Sequence, residues 1–110
     1  LQGLAAVESA LIRRAEQAAQ RDDYDTAAYW LDTAGNIRPG NPTVGDARAR
    51  IADTRAARVR ALRDAGIAAL PRQPRGLHEA RTALAELLRI APPGDPAAVE
   101  LRERIALATH

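Results

Sequence analysis

The same pattern occurs twice in this 110-residue chain, about fifty residues apart. Ile12, Ala15, Ala18 and Ala19 align with Leu62, Ala65, Ala68 and Ala69 at an offset of 50. Tyr24, Ala27, Leu31, Ile37 and Pro39 align with Leu77, Ala80, Leu84, Ile90 and Pro92 at 53, and Pro42, Arg48, Arg50 and Ile51 with Pro96, Arg102, Arg104 and Ile105 at 54. A period of this length belongs to stacked helical units, each burying its apolar face against a neighbour rather than around one closed core. The expectation is one all-α domain over residues 1–110, with repeat one at about 4–57 and repeat two at about 58–110.

Apolar spacing places the helices. Leu4, Val7, Leu11, Ala15 and Ala18 recur at three and four residues, the spacing of one helical face, and predict a first helix from about Leu4 to Gln20. Arg21-Asp22-Asp23 is a polar turn with a capping oxygen, after which Tyr24, Ala27, Leu31, Ala34 and Ile37 define a second helix. Pro39-Gly40-Asn41-Pro42 ends it. Asn41 caps the next helix, and Pro42 stands at its first position, where the missing N–H costs nothing. No breaker intervenes before Pro71, so residues 43–70 are expected to form one helix of roughly 40 Å shared by the two repeats.

Pro71 to Gly76 is the longer counterpart of the first turn. A fourth helix is expected from Leu77 through Ala80, Leu84, Leu87, Leu88 and Ile90 to Ala91. A second stop, Pro92-Pro93-Gly94-Asp95-Pro96, precedes a fifth helix marked by Val99, Leu101, Ile105 and Leu107, with Asp95 as its cap.

Composition narrows the function classes. The only aromatic residues are Tyr24, Tyr29 and Trp30, and alanine, the best helix former, carries much of the apolar role. All sixteen basic residues are arginine, a bias expected of a high-GC bacterial genome rather than of a particular chemistry. Against fourteen acidic residues they leave a formal charge of +2, a balance that does not by itself call for nucleic acid. Cysteine is absent, which excludes disulfides, thiolate zinc sites and cysteine nucleophiles. No apolar run is long enough for a membrane-spanning helix, and Leu1 to Leu4 lack the basic start and apolar stretch of a signal peptide. Cytoplasm and periplasm are both left open. The chain starts without Met and stops in mid-pattern, and is therefore expected to be a segment of a longer, multidomain protein.

These residues resemble the tetratricopeptide repeat family, whose helix-turn-helix units stack into a right-handed superhelix. Ala27, Leu31, Ala34 and Pro39 match the pattern of that family's second helix in full, and Ala80, Leu84 and Pro92 match it with Leu87 replacing the last small residue. The small residues of the preceding helix fall on Ala15 and Ala18, then on Ala65 and Ala68, and residues 21–27 look like the usual turn. Family units usually span 34 residues, whereas the connecting helix here carries the units about 53 apart. The resemblance implies about five antiparallel helices forming two extended repeats of an αα-superhelix, and a protein-interaction, scaffold or oligomerisation role.

In that family peptides lie along the concave face of the first helices. Carried over, this nominates Ile12, Arg13 and Glu16 on one lining and Val59, Leu62 and Arg63 on the next, with Tyr29, which points away from the apolar face, as a further surface contact. The partner would be a protein or peptide, another domain of the parent protein or a second copy of the chain. Arg48, Arg55 and Arg58 lie toward one side of the long helix and have two readings: a solvated face, or a stripe for nucleic acid or another anionic polymer. Trp30 shares a face with Ala27, Ala34 and Ile37 and is expected to fill the space between repeats.

His78 and His110 stand far apart with no second ligand at metal spacing, and Ser9 is the only serine. The sequence has no Gly-rich phosphate loop, paired carboxylates or Ser-His-Asp arrangement, so neither catalysis nor a cofactor is expected of it.

Overall fold

The computed structural model describes residues 2–109; His110 therefore lies outside the described residues. Five α-helices account for nearly all of them: α1 (Gln2–Gln20), α2 (Tyr24–Ile37), α3 (Pro42–Ala69), α4 (Arg75–Ile90) and α5 (Pro96–Ala108). A short 3-10 turn, Leu70–Arg72, follows α3 at the Pro71 stop. No strand occurs among the described residues. The all-α class, the number of helices and the single 28-residue α3 agree with the sequence reading.

The boundaries follow from local chemistry. At the end of α1, Asp23 N–H donates to the Ala18 carbonyl across Asp22, which stands at φ +58°. This left-handed closure satisfies carbonyls that the helix end would leave bare. Asp23 then caps α2, its carboxylate accepting from Thr26 N–H at 3.2 Å. Asn41 Oδ1 accepts from Thr43 N–H at 3.1 Å to open α3, and Asp95 Oδ1 accepts from Ala97 N–H at 2.9 Å to open α5, with Pro96 at the first helical position. Helix α4 starts two residues before the expected Leu77 and lacks a side-chain cap, and α1 likewise starts two residues before Leu4.

The chain divides into two compact units, Leu1–Arg55 and Ala56–His110, and the division falls within α3. In the first unit α1 and α2 pack on each other through alanines, with Ala15, Ala18, Ala27 and Ala34 fully enclosed beside Ile12, Tyr24 and Leu31. Small side chains bring helices close, so each contact contributes little and the sum depends on fit. Val44 and Ala47 of α3 are buried in the same unit.

In the second unit α4 packs on α5 and on the 3-10 turn. Leu87, Ile90 and Leu101 are its most enclosed large side chains. Gly66 of α3 is buried because Leu101 of α5 needs the room: a Cβ there would stand 2.8 Å from both Leu101 methyls and 3.4 Å from Ala83 Cβ. At Gly76 a Cβ would strike the Ala69 carbonyl itself, so the start of α4 can pass the end of α3 only as glycine.

Three sequence expectations are corrected by packing. The buried stripe of α1 runs through Glu8, Ile12, Ala15 and Ala19, leaving Leu4 and Val7 in solvent. In the second half of α3, Ala65 and Ala68 are exposed while Val59, Leu62, Gly66 and Ala69 are buried. Burial keeps Ile12 with Leu62 and Ala19 with Ala69 at the offset of 50, but pairs Glu8 with Val59, Ala15 with Gly66 and Ala18 with Ala69 at 51. One residue turns a helix by about 100°, which is why the alanine match misplaces the inner face. Trp30, finally, is half-buried rather than a core residue.

Candidate functional site

The residues nominated for the peptide lining differ in exposure within their own units. Ile12, Val59 and Leu62 are core side chains, inaccessible to a partner, because apolar groups on these helices turn inward to leave water. Arg13 is exposed. Glu16 is half-buried and accepts from Arg50 at 2.8 Å, linking α1 to α3 within the first unit. Beside that pair lies a shallow groove of about 190 Å³, lined by Ala19, Gln20, Ile51 and Thr54. Arg63 is half-buried in the second unit, 3.0 Å from Asp64 and 3.9 Å from Glu100 of α5.

The arginines of α3 engage much of their charge locally. Arg48 donates to Asp32 at 2.7 Å. The Arg55 guanidinium lies 5.1 Å from the centre of the Tyr24 ring, and the Tyr24 hydroxyl donates to Asp22 at 3.2 Å. Arg58 is exposed. Exposed ion pairs of this kind are worth about 0–1 kcal/mol each, so they arrange side chains more than they stabilise the fold.

Tyr29 is 62% exposed, as the sequence indicates, and meets Trp30 edge-to-face at 5.0 Å. The Arg14 guanidinium lies over the Trp30 ring, 5.0 Å from its centre. The indole is thus a bridge across the α1–α2 surface, held by quadrupole and cation–π attraction as well as by burial.

Sequence reasoning missed the most constrained polar group. Glu8 is 2% exposed. Its carboxylate accepts two hydrogen bonds from Arg38, at 3.0 and 3.3 Å, and one from the Asn41 side-chain amide. Asn41 thereby caps α3 with one side-chain atom and holds α1 with another. The Arg38 hydrogen bonds, then that of Asn41, hold the Glu8 carboxyl below its ordinary range against the opposing effect of burial, and Glu8 in turn raises Arg38. The signal was available: Glu8 precedes Ile12 by four and Ala15 by seven, on the inward face.

In the second unit, the α4–α5 turn frames a groove of about 320 Å³ lined by Leu88, Ala91, Pro93, Ala98, Val99 and Arg102. Leu88 and Val99 are 49% and 43% exposed, and both belong to the apolar patterns from which the sequence reading built α4 and α5. His78 is exposed. No group of three His, Cys, Asp or Glu placed to hold a metal occurs among the described residues, and none of their helices is long and apolar enough to cross a membrane. No protein-family model, curated protein or solved structure matches the chain.

Proposed function

We propose that this chain is a non-catalytic protein-interaction module, a tetratricopeptide-like pair of repeats from a larger bacterial protein. One observation carries the reading. The core is filled largely by alanine, yet Leu88 and Val99 lie open beside one groove, and Leu4 and Val7 lie one turn apart on the exposed side of α1. Single exposed leucines are ordinary, but adjacent pairs at a concave or continuous face offer apolar area that a partner would remove from water. The alternative of an anionic polymer on the α3 arginines gains nothing comparable, since of its three candidates, Arg48, Arg55 and Arg58, the first two are engaged by their own unit.

The test has two parts. Light scattering coupled to size exclusion, over a wide concentration range at low and high salt, measures self-association; panning a random peptide display library on the folded chain measures capture of a foreign segment. A salt-resistant oligomer or an enriched peptide consensus supports the reading. A chain that remains monomeric and enriches no peptide refutes it, and steeply salt-dependent binding to an oligonucleotide would put the polymer reading in its place.

A further inference from the structure

The two repeats differ where the groove forms. In the first unit Arg48 lies across Gly35, its Nη2 3.9 Å from where a Cβ would stand, and so reaches Asp32 at 2.7 Å. At the repeat offsets of 53 and 54, the second unit has Arg102 for Arg48, Leu88 for Gly35, Val99 for Gly45 and Ala85 for Asp32. Two glycines have become exposed apolar side chains, and the arginine's acidic partner has become a methyl group. Arg102 is exposed at the groove and has no ion pair among the described residues. Asp95, the acidic residue of the lining, is engaged in capping α5, where the helix N-terminus balances its charge.

An apolar floor with an unpaired guanidinium at its rim defines its complement. We propose that the groove between α4 and α5 docks a short peptide segment that carries a carboxylate next to a large apolar side chain. The apolar side chain enters between Leu88 and Val99 while the carboxylate meets Arg102, supplying the partner that Asp32 supplies to Arg48. A volume of about 320 Å³ is at the lower end of natural ligand pockets, suited to one or two side chains rather than a folded surface. The inference rests on the reading of the chain as an interaction module and names one site and one class of partner for it.

The experiment is a nuclear magnetic resonance titration of the isotopically labelled full chain with the peptide N-acetyl-Leu-Asp-Leu-amide and its Asn analogue. The expected result is saturable shifts in the amides of Leu88, Ala91, Gly94, Val99 and Arg102. The Asn analogue should bind roughly threefold to fivefold more weakly, the upper part of the range of an exposed ion pair. Arg102→Gln should weaken the Asp peptide to the level of the Asn peptide and leave the latter unchanged, whereas Leu88→Ala should weaken both. Amide spectra of the variants verify their fold, and Val99→Ala serves if Leu88→Ala unfolds. Equal binding of the two peptides, shifts that map elsewhere, or no saturable shift overturns the proposal. A display library that enriches a ligand outside the groove would leave the interaction reading intact while this site fails; no ligand and no self-association would remove both.

Discussion

Replacing glycine by alanine should have opposite effects on stability at Gly76 and Gly45. Both lie within helices, so alanine at either gains up to about 0.5–1 kcal/mol of helix propensity. At Gly45 the added methyl meets nothing within 4 Å, and Gly45→Ala should keep that gain. At Gly76 the methyl would overlap the Ala69 carbonyl oxygen and stand 3.2 Å from Arg72 Cβ. A backbone carbonyl cannot rotate aside as a side chain does, so relief requires the connection between α3 and α4 to shift. Overpacking of this kind costs about 1–3 kcal/mol or more, and after the propensity gain Gly76→Ala should lose roughly 1–2 kcal/mol. For a chain of this size that is a fall in Tm of about 5–10 °C, against a rise of about 2–5 °C for Gly45→Ala. Thermal unfolding followed by circular dichroism, checked by urea midpoints, reads both. A Gly76→Ala variant as stable as the parent chain would refute the close approach of α4 to the end of α3.

The Glu8 clasp sets a pH dependence. Because its folded pKa is lowered, its contribution is complete above the unfolded value of about 4.3 and is lost as pH falls through the folded one; the drop in urea midpoint between neutral and acid pH should therefore be smaller in Glu8→Gln than in the parent chain. At neutral pH, Arg38→Ala should lower the urea midpoint by stranding a buried carboxylate, and adding Glu8→Val should recover it, since Val59 and Ala91 occupy the equivalent places in the second unit; a double variant less stable than Arg38→Ala would sink that equivalence. Trp30→Ala, at a half-buried site, should cost about 1–2 kcal/mol, mostly the Arg14 and Tyr29 contacts, rather than the 3–5 kcal/mol of a core aromatic. Denaturation followed by circular dichroism decides between these, and a loss in the upper range would place the indole in the core.

The fold was legible where helical punctuation is local. Asn41-Pro42 and Asp95-Pro96 announce two helix starts in adjacent residues, and both caps form as read. The facing of the helices was legible only where large residues mark it, as Leu31 and Leu101 do. In α1 and the second half of α3 the inner face is written largely in alanine and glycine, which also populate outer faces, and there the matches of Ala15 with Ala65 and Ala18 with Ala68 fall one residue off while Ile12 with Leu62 holds. Candidate partner residues suffered from the same cause: Ile12, Val59 and Leu62 were assigned to an open lining because the repeat pattern identifies apolar positions without saying which neighbour covers them. Polar groups were harder still, since Glu8 acquires its meaning only from residues thirty or more positions away.

The two units therefore solve one local problem in two ways. The first closes its α2–α3 turn with charge: Glu8 draws in Arg38 and Asn41, and Arg48 crosses Gly35 to Asp32. A buried ion pair is weak as a source of stability against an apolar alternative, but it fixes geometry, because any other arrangement strands a charge. The second unit takes the apolar alternative, with Val59 for Glu8, Ala91 for Arg38 and Leu88 for Gly35. Ala85 stands in place of Asp32, so Arg102, at the place of Arg48, has no ion pair among the described residues, and apolar side chains reach solvent beside it. The loss of the internal acid leaves Arg102 open to the external carboxylate proposed for the groove. On that proposal, the first unit holds itself together with charge while the second is left to hold a partner.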